Sequence, residues 1–158
     1  YLLKYSSKIH FLSDYEASCS KKYMFNKNFF VIPNGVTISK SIINSRKENT
    51  FSLKLICVGI ITPRKNFHLM IKALSFLKDK NIKLDIIGPL KDRSYYSFCK
   101  DIIEENKLNN ISFLGSMKKD EIIDMYKSYD LFCMPSVVEG VSMALIEAAS
   151  EGLSLIHI

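Results

Sequence analysis

Several things this 158-residue chain lacks narrow what it can be. Its four cysteines, Cys19, Cys57, Cys99 and Cys133, include no C-x-x-C pair, and its three histidines, His10, His68 and His157, are equally scattered. Zinc-site spacing is therefore absent, and three of the cysteines lie in apolar segments, where a thiol acts as a small hydrophobe. No apolar run reaches the ~18 residues of a membrane span, and the start, YLLKYSSKIHF, lacks the layout of a secretory signal, so a cytosolic address is expected. Neither G-x-G-x-x-G nor G-x-x-x-x-G-K-[ST] occurs, which excludes the usual dinucleotide and phosphate loops. D-x-D is missing too, so a metal-held diphosphate has no anchor, and neither a metal nor a cofactor is expected.

What is present suits one ordinary domain: 47% of residues are hydrophobic, enough for a real core. The net charge of +6 is lopsided. Residues 1–50 hold eight Lys/Arg against three Asp/Glu, and the remainder is nearly balanced. A basic end can face an anionic membrane, an acidic substrate or nucleic acid, or can simply be a solvated lysine-rich surface. No aromatic-basic signature or zinc finger supports nucleic acid.

Along the chain, KIHFL (8–12) predicts a strand, and Ser13 followed by Glu16 predicts a capped helix over 14–25. FFVI (29–32) predicts a strand ended by Pro33-Asn34-Gly35, and residues 37–52 read as a loop. A regular rhythm then begins. LKLICVG, IKLDIIG, ISFLG and DLFCMP are apolar strands. Between them, Phe67, Met70, Ile71, Leu74 and Leu77, then Tyr95, Phe98, Cys99, Ile102 and Ile103, then Ile122, Ile123, Tyr126 and Tyr129, recur at helical spacing. A last helix is expected over 141–151. The order β-α-β-α-β-α-β-α predicts an α/β fold, a Rossmann-like parallel sheet with helices on both faces. Ligands bind such sheets at the carboxyl ends of the strands, so the loops after Gly59, Gly88, Gly115 and Pro135 carry the information.

Two of those loops hold candidate chemistry. In VGIITPRKNFHLM, Gly59 allows a sharp turn, and Arg64 and Lys65 stand just before a helix start, a setting for a phosphate or merely a solvent-facing pair. In SVVEGVSMALIEAAS, Glu139 precedes a helix expected to start near Val141 or Ser142, and Glu147 lies further along it. Eight residues span at most ~12 Å at helical rise, a suitable separation for two acids flanking a diphosphate and accepting from sugar hydroxyls. The plain alternative is dipole compensation by Glu139 and an exposed helix face for Glu147.

PSVVEGVSMALIEA resembles the E-x7-E signature of retaining glycosyltransferases of the GT-B fold, in their large fourth family. VIPNGV (31–36), VGIITPRKN (58–66), ISFLG (111–115) and Tyr126 through Ser136 agree in order, so the resemblance covers roughly residues 6–152. It implies an enzyme that moves a sugar from a nucleotide-diphosphate donor to a glycan or lipid-linked acceptor, with this chain forming the donor-binding half. It further implies that Glu147 binds ribose hydroxyls, Glu139 the donor sugar, and Lys65 the diphosphate. The backbone of Gly140, Val141, Ser142 and Met143 would cradle phosphate and sugar, with Ser116 and Met117 near the base. Gly59 and Arg64 complete the donor-binding set, and the leaving diphosphate would be neutralised without a metal.

The departures are specific. Where the family commonly has arginine after the strand-end glycine, this chain has Ile60, and Ser142 stands where a glycine is often found. The family would continue past Gly152 with a proline-containing strand, but here LSLIHI follows, resembling a translated sequencing-library adapter. The expected organisation is residues 1–35 as the end of an acceptor domain and crossover, 36–152 as an incomplete nucleotide-sugar domain, and 153–158 as a non-native tail. An inactive, marginally stable fragment is expected from that organisation, and the basic N-terminal stretch is compatible with a cytoplasmic parent enzyme peripheral to an anionic membrane face. Two other readings stand beside it, a sugar-nucleotide epimerase of similar fold and a non-catalytic binding module.

Overall fold

A computed structural model describes residues 6–23, 28–36, 52–77 and 80–157. Apart from Ser52, the expected loop at 37–52 lies outside the described residues. By internal contacts the chain divides into two compact units, residues 1–36 with 139–143, and residues 37–138 with 144–158.

In the first unit, β1 (Lys8–Phe11) and β2 (Asn28–Val31) pair in parallel, Ile9 against Phe29 and Phe11 against Val31. Helix α1 (Asp14–Ser20) joins them, followed by a 3-10 turn at Lys21–Tyr23. The Ser13 hydroxyl accepts from the Glu16 amide at 3.1 Å, and the Glu16 carboxylate reaches back to the Leu12 amide at 2.8 Å. That is the reciprocal capping the sequence predicts, displaced by one residue on the return bond. Ile9, Phe11 and Ala17 form the small core, with Val31 against it.

The second unit is a five-stranded parallel sheet in the order β5-β4-β3-β6-β7, built from β3 (Leu53–Val58), β4 (Ile82–Ile87), β5 (Ile111–Gly115), β6 (Leu131–Met134) and β7 (Ser154–His157). Helices α2 (Phe67–Ser75), α3 (Arg93–Glu105), α4 (Lys119–Tyr126) and α5 (Met143–Ser150) make the connections. Alternate strand residues feed two cores. Leu55, Cys57, Leu84, Ile86 and Cys133 pack with α2 and α3, whereas Ile56, Ile87, Phe132 and Met134 pack with α4 and α5. Strand addition reverses direction after β5, and a fixed crossover hand then places the later helices on the opposite face.

Predicted helix boundaries shift. Leu77 falls beyond the end of α2 and is exposed, because the helix stops at Ser75 and the chain turns. Helix α5 begins at Met143, two residues later than expected, since Gly140 and β-branched Val141 are poor helix starters. The segment read as a tail is paired along β6, with Leu131 against Ser154 and Met134 against His157. Ahead of it, Gly152 adopts φ 79°, its N–H donating to Ala149 O and the Leu153 N–H to Ala148 O. This double bond pattern ends a helix cleanly and favours glycine at the left-handed position.

Candidate functional site

The strand order fixes where a ligand can enter. β3 is followed in sequence by β4 on one side, while β6 adds on its other side. The loops leaving the carboxyl ends of β3 and β6 therefore diverge, opening the crevice at which doubly wound sheets bind ligands.

The β3 loop is stiff. Val58 leads into Gly59, whose N–H donates to Ile87 O at 2.9 Å, and the Ile61 N–H donates to Pro89 O at 2.9 Å. Gly88 is forced by this approach: a Cβ there would lie 1.9 Å from the Gly59 carbonyl oxygen. Pro63–Lys65 then form a single 3-10 turn, closed by the Lys65 N–H on Thr62 O at 3.0 Å, and Asn66 at φ 56° reverses the chain into α2. Asparagine is among the few residues that visit this left-handed region at low cost. The outcome is that the stem of Lys65 lies over Gly59. A Cβ on Gly59 would meet Lys65 Cε at 3.1 Å and Cδ at 3.3 Å. The glycine is needed here for the space above it.

The β6 loop is tied to the first. The Val137 N–H donates to the Arg64 carbonyl at 3.0 Å, so the turn carrying Arg64 and Lys65 is fixed against the residues after Pro135. The Arg64 side chain is exposed, as is Ile60 at the position next to Gly59. Ser136, beside this junction, is buried, and its hydroxyl has no hydrogen-bond partner among the described residues. Buried hydroxyls are normally paired, so this one is an open valence at the strand end. Sequence reasoning missed Ser136; a lone serine one residue past an apolar strand gives no signal until the strand order places it at the crevice.

Glu147 sits on the second turn of α5 with its side chain only 12% exposed. Lys119, at the start of α4, approaches its Oε1 to 2.7 Å. The Glu147 carboxylate, first by its hydrogen bond and then by its charge, raises the Lys119 pKa. Tyr126 is fully buried nearby. Its hydroxyl donates to Ala144 O at 3.3 Å, and its pKa is pushed well up by burial and then by the Glu147 charge. The carboxylate is therefore held in a fixed, partly desolvated setting and does not lie on an exposed helix face.

The remaining candidates separate. Ser116 is exposed on the loop after β5, whereas Met117 packs against the core shared by α4 and α5. Within the segment grouped with the first unit, Glu139, Val141 and Ser142 are half-buried and Gly140 is exposed. Since α5 starts at Met143, its unpaired N–H groups run from Met143 onward. Among the described residues no group of three His, Cys, Asp or Glu side chains is arranged to hold a metal, and no helix is long and apolar enough to cross a membrane.

Comparison with known proteins adds an independent finding. The family described as Glycosyl transferases group 1 matches residues 39–158. A capsular polysaccharide biosynthesis glycosyltransferase of Staphylococcus aureus, CapH, is 31% identical over 150 residues, covering 91% of this chain and 40% of that protein. The UDP-Gal:alpha-D-GlcNAc-diphosphoundecaprenol alpha-1,3-galactosyltransferase of Escherichia coli is 29% identical across 90% of this chain and 40% of its own length. Among solved structures, Anabaena Alr3699/HepE in complex with UDP and glucose superposes with a TM-score of 0.81 at 19% identity, over 96% of this chain and 44% of that one. The chain thus spans less than half the length of these relatives.

Proposed function

Because the chain belongs to the group 1 glycosyl transferases, we propose that it holds the nucleotide-sugar donor of a retaining GT-B enzyme, which passes a hexose to a glycan or lipid-linked saccharide. The observation that carries this reading is the crevice between β3 and β6, where the Arg64–Val137 bond fixes the turn that lays a lysine over a glycine. In this reading Lys65 meets the diphosphate, supported by the N–H groups at the start of α5 and by the positive end of that helix. Glu147, already oriented by Lys119, accepts from the ribose hydroxyls, and Glu139 accepts from the donor sugar. Gly140 through Met143 supply backbone contacts to phosphate and sugar. Gly59 gives Lys65 its position, Arg64 adds exposed positive charge in place of the arginine that Ile60 replaces, and Ser116 flanks the base. Met117 backs that loop from the core.

The chemistry asked of these groups is electrostatic. A departing nucleoside diphosphate gains negative charge, and fixed cations and N–H dipoles in a crevice stabilise that charge without reorganising. Neither metal nor cofactor is required in this scheme. Three solved neighbours, HepE, TarM of S. aureus and the pneumococcal GtfA, carry UDP, so a uridine donor ranks first. The lipid-linked acceptor named for the Escherichia coli relative and the capsular polysaccharide biosynthesis named for CapH favour a cytoplasmic enzyme working beside the membrane on a polysaccharide precursor.

The test is thermal-shift ranking of UDP, GDP and ADP, followed by anomeric analysis by NMR of the transfer product made by the full-length enzyme. A ligand at 100 times its Kd raises stability by about 2.7 kcal/mol, so the matching nucleotide stands clear of the others. Lys65→Met and Glu147→Gln cut that shift to about half or less, and Glu139→Gln weakens the nucleotide-sugar while leaving UDP nearly untouched. No stabilisation by any of the three nucleotides refutes the donor site; an inverted product refutes retention alone.

A further inference from the structure

A second cleft lies at the opposite pole of the sheet. It has a volume of about 570 Å³ and opens at the amino ends of β3, β4 and β5, between Lys54, Lys80, Lys83, Lys107, Asn81 and Asn109. β4 runs six residues from Ile82 to Ile87, so at strand rise this cleft is roughly 17 Å from the loops described above. It is a separate place on the molecule.

Its composition is one-sided. Four lysines line it, and no carboxylate is among its lining residues. Lys54 and Lys83 are register partners on neighbouring parallel strands, so their stems leave the same face side by side. Like charges so placed repel, and an anion between them removes the cost. The Asp130 carboxylate, whose Oδ2 accepts from the Lys54 backbone N–H at 2.8 Å, is not among the lining residues.

The second observation concerns Lys107. It follows the C-cap of α3 at φ 52°, with its N–H on Glu104 O and the Leu108 N–H on Ile103 O. This is the same helix stop that Gly152 makes after α5, at the position that favours glycine. Here a lysine takes the left-handed conformation and brings its charge to the cleft rim. The position is filled against the backbone's preference.

We infer that this lysine cleft binds a phosphoryl anion carrying two or more charges. Lysine ammoniums are compact point charges without the planar fork that arginine offers carboxylates, and four of them with asparagine amides suit the spread charge of a diphosphate-sized group. The cavity volume lies within the range of small-ligand sites. The group is either a soluble phosphate ester or a phospholipid headgroup, which share this chemistry.

Inorganic pyrophosphate is titrated calorimetrically into the full chain at low salt, alongside Lys83→Gln/Lys107→Gln and Lys65→Met. The double variant weakens one binding phase at least tenfold, while Lys65→Met leaves that phase in place, which separates it from the donor crevice. Co-sedimentation with phosphatidylglycerol and phosphatidylcholine vesicles forms the second arm. Binding to the anionic vesicles assigns the headgroup, and a pyrophosphate phase without vesicle binding assigns the soluble ester. Lys107→Gly guards against misfolding as a cause: it raises Tm by about 2 °C or more while weakening pyrophosphate. Unchanged binding in the double variant, or no binding by the wild-type chain in either arm, overturns the inference.

Discussion

Replacing Gly59 with alanine isolates the placement of Lys65 from the stability of the fold. The new Cβ would stand 3.1 Å from Lys65 Cε, 3.3 Å from Cδ and 3.6 Å from Cγ. Carbon atoms prefer about 3.5–4.0 Å, so the stem must retreat by roughly 0.5 Å. Lysine has the rotatable bonds to do so. Gly59 is not among the glycines at positive φ, so alanine fits the backbone and gains about 0.4–1 kcal/mol by restricting the unfolded chain. The net change in stability is therefore within about 1 kcal/mol of zero. At the ammonium a pivoted stem is displaced further, and a charged hydrogen bond worth about 1.5–3 kcal/mol is partly lost. A loss of about 1–2 kcal/mol weakens UDP roughly fivefold to thirtyfold. Gly88→Ala is the contrasting variant. Its Cβ would lie 1.9 Å from the Gly59 carbonyl oxygen and 2.6 Å from the carbonyl carbon, backbone atoms that cannot swing aside. Strand ends must separate, at a cost of about 3 kcal/mol or more. Urea melts paired with calorimetric UDP titrations read both quantities. If Gly59→Ala binds UDP as the wild type does, or unfolds as readily as Gly88→Ala, the argument from the lysine stem is wrong.

Three further outcomes are expected. Glu147→Gln reduces UDP affinity more than tenfold, whereas Lys119→Met, which only frees the carboxylate to rotate, reduces it twofold to fivefold; equal effects by calorimetry would contradict the assigned roles. Burial pushes the Cys133 thiol from 9.0 to about 11. The unfolded chain therefore loses that proton first, stability holds below pH 9 and falls as pH rises to 11, by about 2–3 kcal/mol, and Cys133→Ala flattens that part of the pH profile in urea melts. Gly152→Ala places a side chain at φ 79° and destabilises the chain by about 1 kcal/mol, measurable as a lower urea midpoint at unchanged slope.

Much of the fold was legible in the sequence because its signals are local and periodic. The apolar runs LKLIC and KLDII could only be strands buried on both faces, and Phe67, Met70, Ile71 and Leu74 mark one helical stripe that the structure buries. The β-α rhythm required a parallel sheet, since each connection returns the chain in the same direction. Helix ends were less legible: the start of α5 depended on Gly140 and Val141 resisting the helix, a competition of small terms that spacing does not resolve.

The linear chain determined the elements, their parallel alignment, and the residues able to carry charge near strand ends. Tertiary structure alone decided the strand order. Nothing local says that β6 joins β3 and not β5, because that choice is made by packing on both faces at once, between residues about 75 positions apart. That one choice opens the crevice, bonds Val137 to Arg64, and strands the Ser136 hydroxyl at its edge. It took the folded chain to set Lys119 on Glu147 and to gather four lysines at the far pole, for these meetings join residues whose separation in sequence carries no periodic trace.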